Sequence, residues 1–195
     1  MIVYRKKKKR NKPLIITLVF VLLVALAIGG FWGYNRIIRE IHPLKYSSYV
    51  EKYAKENKIS EYLVYAVIKT ESGFRADACS DVGARGLMQI MEVTFDWIKM
   101  KRNDTDTVFY DMYSAEKNIE YGCWLLGFLY EEFGNIDCVA AAYHAGRGNV
   151  NNWLSDKKYS KDGIHLDKIP ISDTAHYVNK INSAMETYVK LYSGI

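Results

Sequence analysis
The hydrophobic and polar positions divide the chain into two regimes. From Leu14 to Tyr34 it reads LIITLVFVLLVALAIGGFWGY, and no charged residue occurs between Lys12 and Arg36. As a helix rising about 1.5 Å per residue, a run of this length spans about 30 Å, the thickness of a bilayer's hydrocarbon core. Residues 35–46 (NRIIREIHPLKY) read as a short stalk. From Ser47 onward apolar residues recur at helical spacing, and no period-2 run marks a strand. Ser60 is placed to cap a helix reaching about Ser72, with Leu63, Val64, Val67 and Ile68 on one face. A second helix is predicted from Glu92 to Lys101. Ser114 stands at the start of a third, in which Ile119, Cys123, Leu126, Tyr130 and Phe133 alternate steps of four and three until Gly134 stops it. A short apolar helix follows from Asp137 to about Tyr143, ending in the glycine-rich HAGRG. Residues 154–172 read as a polar loop. Asp173 is the expected cap of a last helix carrying Val178, Ile181, Met185, Tyr188 and Tyr192. The pattern predicts a mainly α unit over residues 47–195, large enough to bury a real core.

Charge changes how the apolar run is read. The chain's formal net charge is +5, which by itself raises nucleic acid as a partner. Residues 1–13, however, hold seven basic side chains and no acidic one. Without them, 20 basic residues face 22 acidic ones, a balance of −2. The basicity belongs to an N-terminal arm, and nothing in the remainder calls for nucleic acid. A basic arm directly before a spanning segment (14–34) places that end in the cytoplasm by the positive-inside rule, and Phe31, Trp32 and Tyr34 sit where an outer aromatic belt belongs. The alternative is a cleaved signal peptide, for which Ala25-Leu26-Ala27 offers a small-x-small site. The apolar run continues past that site to full spanning length, which favours the retained anchor. In either case the chain beyond the stalk is exported.

Familiar signatures of phosphate loops, zinc peptidases, CxxC redox sites and nucleophile elbows are absent from the sequence. The four histidines show no ligand spacing, so no metal and no cofactor are assigned. Cys123 and Cys138 can pair across a helix–turn–helix, but Cys123 also fits a buried apolar stripe as a free thiol, which is the better reading. The informative stretch is ESGFRADACSDVGARGLMQIM, Glu71 to Met91. Glu71 follows Val67 by four residues and Leu63 by eight, so it extends the apolar face of its helix. Desolvation there raises a carboxyl's pKa, and the helix C-terminus pushes the same way. The plain alternative is a helix-end glutamate that reaches solvent. Downstream, Gly83 and Gly86 let backbone approach a ligand and Gln89 can donate and accept, while Tyr143 and His144 close a small-residue helix. Unaided, these residues describe a carboxylate in a polar-lined cleft. Tyr143 and Tyr177 read equally well as core aromatics, since the chain has 16 tyrosines.

The blocks Glu71-Ser72-Gly73-Phe74, Ala78-Cys79-Ser80, Gly83-Ala84-Arg85-Gly86-Leu87-Met88-Gln89 and Ile90-Met91 closely resemble the catalytic domain of the soluble lytic transglycosylases, relatives of goose-type lysozyme. Asn118-Ile119-Glu120-Tyr121-Gly122, Ala141-Ala142-Tyr143-His144-Ala145-Gly146 and Ile169-Pro170 through Lys180-Ile181 match that family's later blocks in order. Three positions depart from the pattern: Glu92 for a proline, Asp173 for a glutamate, and His144 for an asparagine beside the cleft. The resemblance implies a mainly α (α+β lysozyme-like) fold and an enzyme acting on peptidoglycan glycan strands, which the spanning segment would anchor in the membrane. It implies that Glu71 protonates the bond between N-acetylmuramic acid and N-acetylglucosamine. Glu71 then takes the proton of the muramoyl C6 hydroxyl, giving a 1,6-anhydro product. Such internal attack explains why no second carboxylate has a clear role, Asp77 and Asp81 suiting solvated turns. The resemblance further implies that Ser80, Met88, Gln89, Tyr143, His144 and Tyr177 bind substrate. Two rivals remain at this stage: a hydrolytic muramidase on the same fold, and a non-catalytic glycan-binding module of a wall-spanning machinery whose other parts the sequence does not identify.

Overall fold
The computed structural model describes residues 12–194, with side chains from residue 16. The basic arm expected over residues 1–13 lies outside the described residues but for its last two. The chain divides into two compact units, Met1–Pro43 and Leu44–Ile195.

In the first unit a single helix, α1, runs from Lys12 to Ile41. Within its stretch Ile16–Ile41 an 18-residue window has a mean hydropathy of 2.4, and none of the residues in that window is buried. It is long and apolar enough to cross a membrane. The expected stalk is helical over half its length: α1 continues through it, with an exposed Arg36–Glu40 ion pair one turn apart. It stops just before Pro43, whose ring cannot follow a helical turn.

The second unit holds α2 (Ser47–Glu56), α3 (Glu61–Ser72), α4 (Glu92–Arg102), a short 3-10 helix (Phe109–Tyr113), α5 (Ala115–Phe133), α6 (Ile136–Ala145), α7 (Arg147–Ser155) and α8 (Ser172–Tyr192). No strand occurs among the described residues; the β part shrinks to two isolated bridges, Cys79–Arg85 and Arg85–Ile90. The fold is therefore mainly α. α3 is the central element. The run Leu63 to Ile68 is apolar on every side and wholly buried, and it packs against α2 and, most extensively, α8. Leu63, Val64, Val67 and Ile68 are each worth about 1.5–3 kcal/mol on burial. Ser60 caps it as expected, accepting from the Tyr62 N–H. α5 runs along the other side of the core, touching α2, α4, α6 and the 3-10 helix.

Several local expectations are corrected. α6 is capped by Asn135, whose side chain accepts from the Cys138 N–H, so it begins earlier than Asp137 and continues to Ala145. α7 was not expected; it buries Val150 and Trp153 and shortens the predicted polar loop. The 3-10 helix was also not predicted. Asp173 does not cap α8 but lies in its first turn, where a negative charge still suits the helix dipole. On α5 the stripe turns slightly, leaving Tyr130 exposed and Leu129 buried. All three cysteines are free.

Candidate active site
The site is assembled at the C-terminal end of α3. Glu71 is the penultimate residue of that helix, which ends because Gly73 takes the left-handed conformation (φ 59°). Phe74 follows, also left-handed (φ 67°), an uncommon conformation for a residue with a bulky side chain. It is held there by burial against Tyr65. These two residues reverse the chain and send residues 75–91 back across the helix end.

That segment is a closed loop fixed by backbone bonds. Arg85 and Ile90 exchange N–H···O bonds of 3.0 Å each, and the Gly86 N–H reaches the Ala78 carbonyl at 2.8 Å. The Ser72 hydroxyl, buried, lies 2.8 Å from the Leu87 carbonyl and ties the loop to α3. From beneath, Asn118 of α5 is a three-way clamp with no exposed surface. Its side-chain oxygen accepts from the Met88 N–H at 2.7 Å, and its amide nitrogen donates to the carbonyls of Arg85 and Met112 at 2.9 Å each. One turn later Gly122 leaves room for the Met88 side chain. Gly86 is left-handed (φ 76°), and a Cβ on it would collide with the Met112 carbonyl and the Asn118 amide.

Two tyrosines complete the arrangement. The Tyr143 hydroxyl, from α6, donates to the Met88 carbonyl at 2.7 Å. The Tyr177 hydroxyl, from α8, donates to Oε1 of Glu71 at 2.7 Å. Burial pushes the Glu71 carboxyl up from its ordinary 4.5 to about 7, against the opposing pull of the Tyr177 hydrogen bond. Burial also holds both phenols well above the usual tyrosine range, with the Glu71 charge adding to it. A carboxyl poised near 7 can both give and take a proton near neutrality. Asp77 and Asp81 are exposed. Among the described residues no group of three or more His, Cys, Asp or Glu is arranged to hold a metal.

The structure thus joins Glu71 to Tyr177, and the Tyr143 hydroxyl to the loop. His144 is exposed, its ring 4.7 Å from that of Tyr177 and its Nδ1 3.1 Å from the Thr174 hydroxyl. The other expected residues serve the loop itself. Ser80 Oγ accepts from the Ala84 N–H at 3.0 Å. The Gln89 amide nitrogen donates to the Gly86 carbonyl at 2.9 Å, on a residue whose own backbone is left-handed (φ 48°). Met88 is a correction: its side chain is wholly buried against Gly122, so it packs the loop onto α5 and presents no surface to a ligand. Sequence reasoning assigned no role to Asn118, Gly122 or Thr174. An asparagine four residues before a glycine on an otherwise apolar face was the available signal for the first two. Beside Tyr143 a cleft of about 370 Å³ opens, lined by Val93, Thr94, Trp97, Leu129 and Arg147 among others. A second depression of about 470 Å³, at Asn57, Trp124 and Phe128, shares no residue with the carboxylate site.

Residues 48–165 match the family model described as the transglycosylase SLT domain. The chain is 32% identical over 173 residues to the soluble lytic murein transglycosylase of Salmonella typhimurium, an alignment covering 87% of this chain and 26% of that protein. It is 28% identical over 176 residues to the membrane-bound lytic murein transglycosylase C of Serratia proteamaculans, covering 79% of this chain and 49% of the relative. Among solved structures it resembles the 70 kDa soluble lytic transglycosylase of Escherichia coli, with a TM-score of 0.69, 28% identity, and coverage of 78% of this chain and 25% of that one. A complex of the 70 kDa enzyme with bulgecin A gives a TM-score of 0.70 at 29% identity, covering 81% of this chain and 26% of the other. The chain spans about a quarter of the length of its soluble relatives. With the family model covering more than half of its residues, the chain belongs to the transglycosylase SLT domain family.

Proposed function
We propose that this protein is a peptidoglycan lytic transglycosylase held at the bacterial membrane by α1, with its helical unit outside the cell and its N-terminus in the cytoplasm. The carrying observation is Glu71: a largely desolvated carboxyl whose pKa lies near 7, bonded to one phenol among the described residues. In the reaction the protonated Glu71 gives its proton to the oxygen linking N-acetylmuramic acid to N-acetylglucosamine, and the C1–O bond breaks. The Glu71 carboxylate then takes the proton of the muramoyl C6 hydroxyl as that oxygen bonds to C1. The proton returns to Glu71, the sugar closes as a 1,6-anhydro ring, and no water is consumed. One carboxyl serves both steps, which fits a site where Asp77 and Asp81 lie exposed and, among the described residues, no second carboxyl acts on Glu71. Tyr177 orients the carboxyl, and Tyr143, which lines the cleft, holds the loop through the Met88 carbonyl.

Digestion of purified peptidoglycan by the full chain in detergent, followed by mass spectrometry of the muropeptides, tests this. Anhydro ends, one water lighter than hydrolytic ends, are expected. Reducing ends alone would identify a hydrolytic muramidase and overturn the transglycosylase reading. Glu71→Gln is expected to abolish cleavage; full activity in that variant would refute Glu71 as the acid, and no cleavage by the parent chain would leave a glycan-binding role.

A further inference from the structure
We propose that His144 is a positioning residue: its imidazole braces the Tyr177 ring and so fixes the phenol hydroxyl on Glu71. The inference rests on the reading of Glu71 as the acid and adds a residue to it. His144 is the last-but-one residue of α6, and Tyr177 lies in the second turn of α8. The two rings lie with centroids 4.7 Å apart and planes inclined by 32°, a tilted contact. The imidazole is in turn fixed by Nδ1, 3.1 Å from the hydroxyl of Thr174. Thr174 is fully buried and stands three residues before Tyr177 on the same helix. His144 therefore grips α8 at two points and limits the swing of the Tyr177 ring about its χ1 axis. At the far end of that ring the hydroxyl meets Oε1 of Glu71 at 2.7 Å, so a swing of the ring lengthens this bond directly. An asparagine here offers an amide to Thr174 but no ring face to Tyr177. The brace is thus a property of the histidine.

The ionisable groups acting on the Tyr177 phenol are Glu71 from α3 and Tyr143 from α6, with the imidazole against its face. The hydrogen bond from Tyr177 favours the ionised form of Glu71. Loosening it therefore moves the Glu71 titration to higher pH. A merely structural role would not move it.

The test uses the full chain in detergent, carrying His144→Ala, His144→Asn, His144→Phe, Tyr177→Phe or His144→Ala with Tyr177→Phe. The Glu71 titration is followed by carboxyl carbon NMR, and kcat and KM are measured on soluble glycan strands. His144→Ala and His144→Asn are expected to raise the Glu71 midpoint in the same direction as Tyr177→Phe and by less. They are also expected to lower kcat about tenfold, the scale of one weakened hydrogen bond, with KM little changed. His144→Phe, which keeps an aromatic face, is expected to restore most of both. In the Tyr177→Phe background the alanine is expected to change nothing further. A raised KM at unchanged kcat and midpoint would make His144 a direct substrate contact and overturn the brace. So would effects that multiply in the double variant. Should His144→Ala melt early, the asparagine and phenylalanine variants carry the same comparison. Activity surviving Glu71→Gln sinks the acid reading, whereas an inactive Glu71→Gln beside an unaltered His144→Ala sinks only the brace.

Discussion

Replacing Glu71 by Gln is expected to stabilise the protein, and only at neutral to alkaline pH. The carboxyl's pKa rises from 4.5 to about 7 on folding, because burial disfavours its charge more than the Tyr177 hydroxyl supports it. The folded state therefore holds the proton more tightly than the unfolded state. Below about pH 4.5 the group is protonated in both, and no difference arises. As pH climbs toward 7 the unfolded chain ionises first, and stability is lost progressively; above 7 the loss is complete. At 1.36 kcal/mol per pKa unit the penalty reaches about 3 kcal/mol. Gln is nearly isosteric and neutral, and its carbonyl oxygen keeps accepting from Tyr177, so the substitution removes the ionisation without opening a cavity. The variant and the parent should unfold alike at pH 4. At pH 8.5 the variant should be more stable by up to about 3 kcal/mol, equivalent to roughly 6–12 °C for a unit of this size. Urea unfolding followed through Trp97, Trp124 and Trp153 in a non-ionic detergent measures the difference. A gap independent of pH, or one that narrows as pH rises, would show that Glu71 is not desolvated and would remove the basis for its double role.

Asn118→Ala should be severe for another reason. It leaves the Met88 N–H and the Met112 carbonyl buried without their partners, at about 1–3 kcal/mol each, and the expected loss of about 2–6 kcal/mol is read from the urea midpoint. A loss under about 0.5 kcal/mol would mean the clamp is replaceable by water. Gly86→Ala forces a side chain into the left-handed region and against the Met112 carbonyl; a fall of about 2–5 kcal/mol is expected, and a melting temperature like the parent's would contradict the close approach. Thiol titration of the native chain should detect Cys79 alone, with Cys123 and Cys138 reacting only on unfolding. Burial raises the thiol pKa of both and slows them further. Fewer than three thiols in denaturant without reductant would reveal a disulfide.

The parts of the fold that were legible in the sequence are those where one local signal suffices. The apolar run Leu63 to Ile68 announces a buried helix, Ser60 and Gly73 mark its ends, and Glu71 follows on its apolar face. α7 was invisible because RGNVNNWLS has weak helix formers and only Val150 and Trp153 to bury. The cap of α6 was misplaced because Asn135 and Asp137 stand two residues apart and only packing decides which lies outside the helix, and that of α8 because the helix begins after Ile171 with no side-chain cap. The site divides in the same way. The partnership of Glu71 and Tyr177 joins residues 106 apart, so no periodicity contains it; the family resemblance pointed to both residues but not to their bond. Met88 misled because a methionine in a glycine-rich loop can face a ligand or a core. A glycine on a distant helix settles which it does here.

What the loop does for the carboxyl follows from this division. Among the described residues no cation and one hydrogen-bond donor act on Glu71, so its pKa is set by burial against a single phenol. A balance of two opposed effects is sensitive to small displacements of either. The backbone over the helix end must therefore be held rigidly, and it is held by groups away from the chemistry: Asn118 and Gly122 below, Ser72 at the edge, Tyr143 from α6. Under the proposed mechanism the same group donates a proton and then recovers one. An acid far below 7 would donate poorly at first, and one far above would be a scarce base afterwards. A value near 7 disfavours neither step. The fold reaches it by a desolvation that destabilises the ionised protein, which is why the residue most suited to the reaction is also one whose neutralisation should make the molecule more stable.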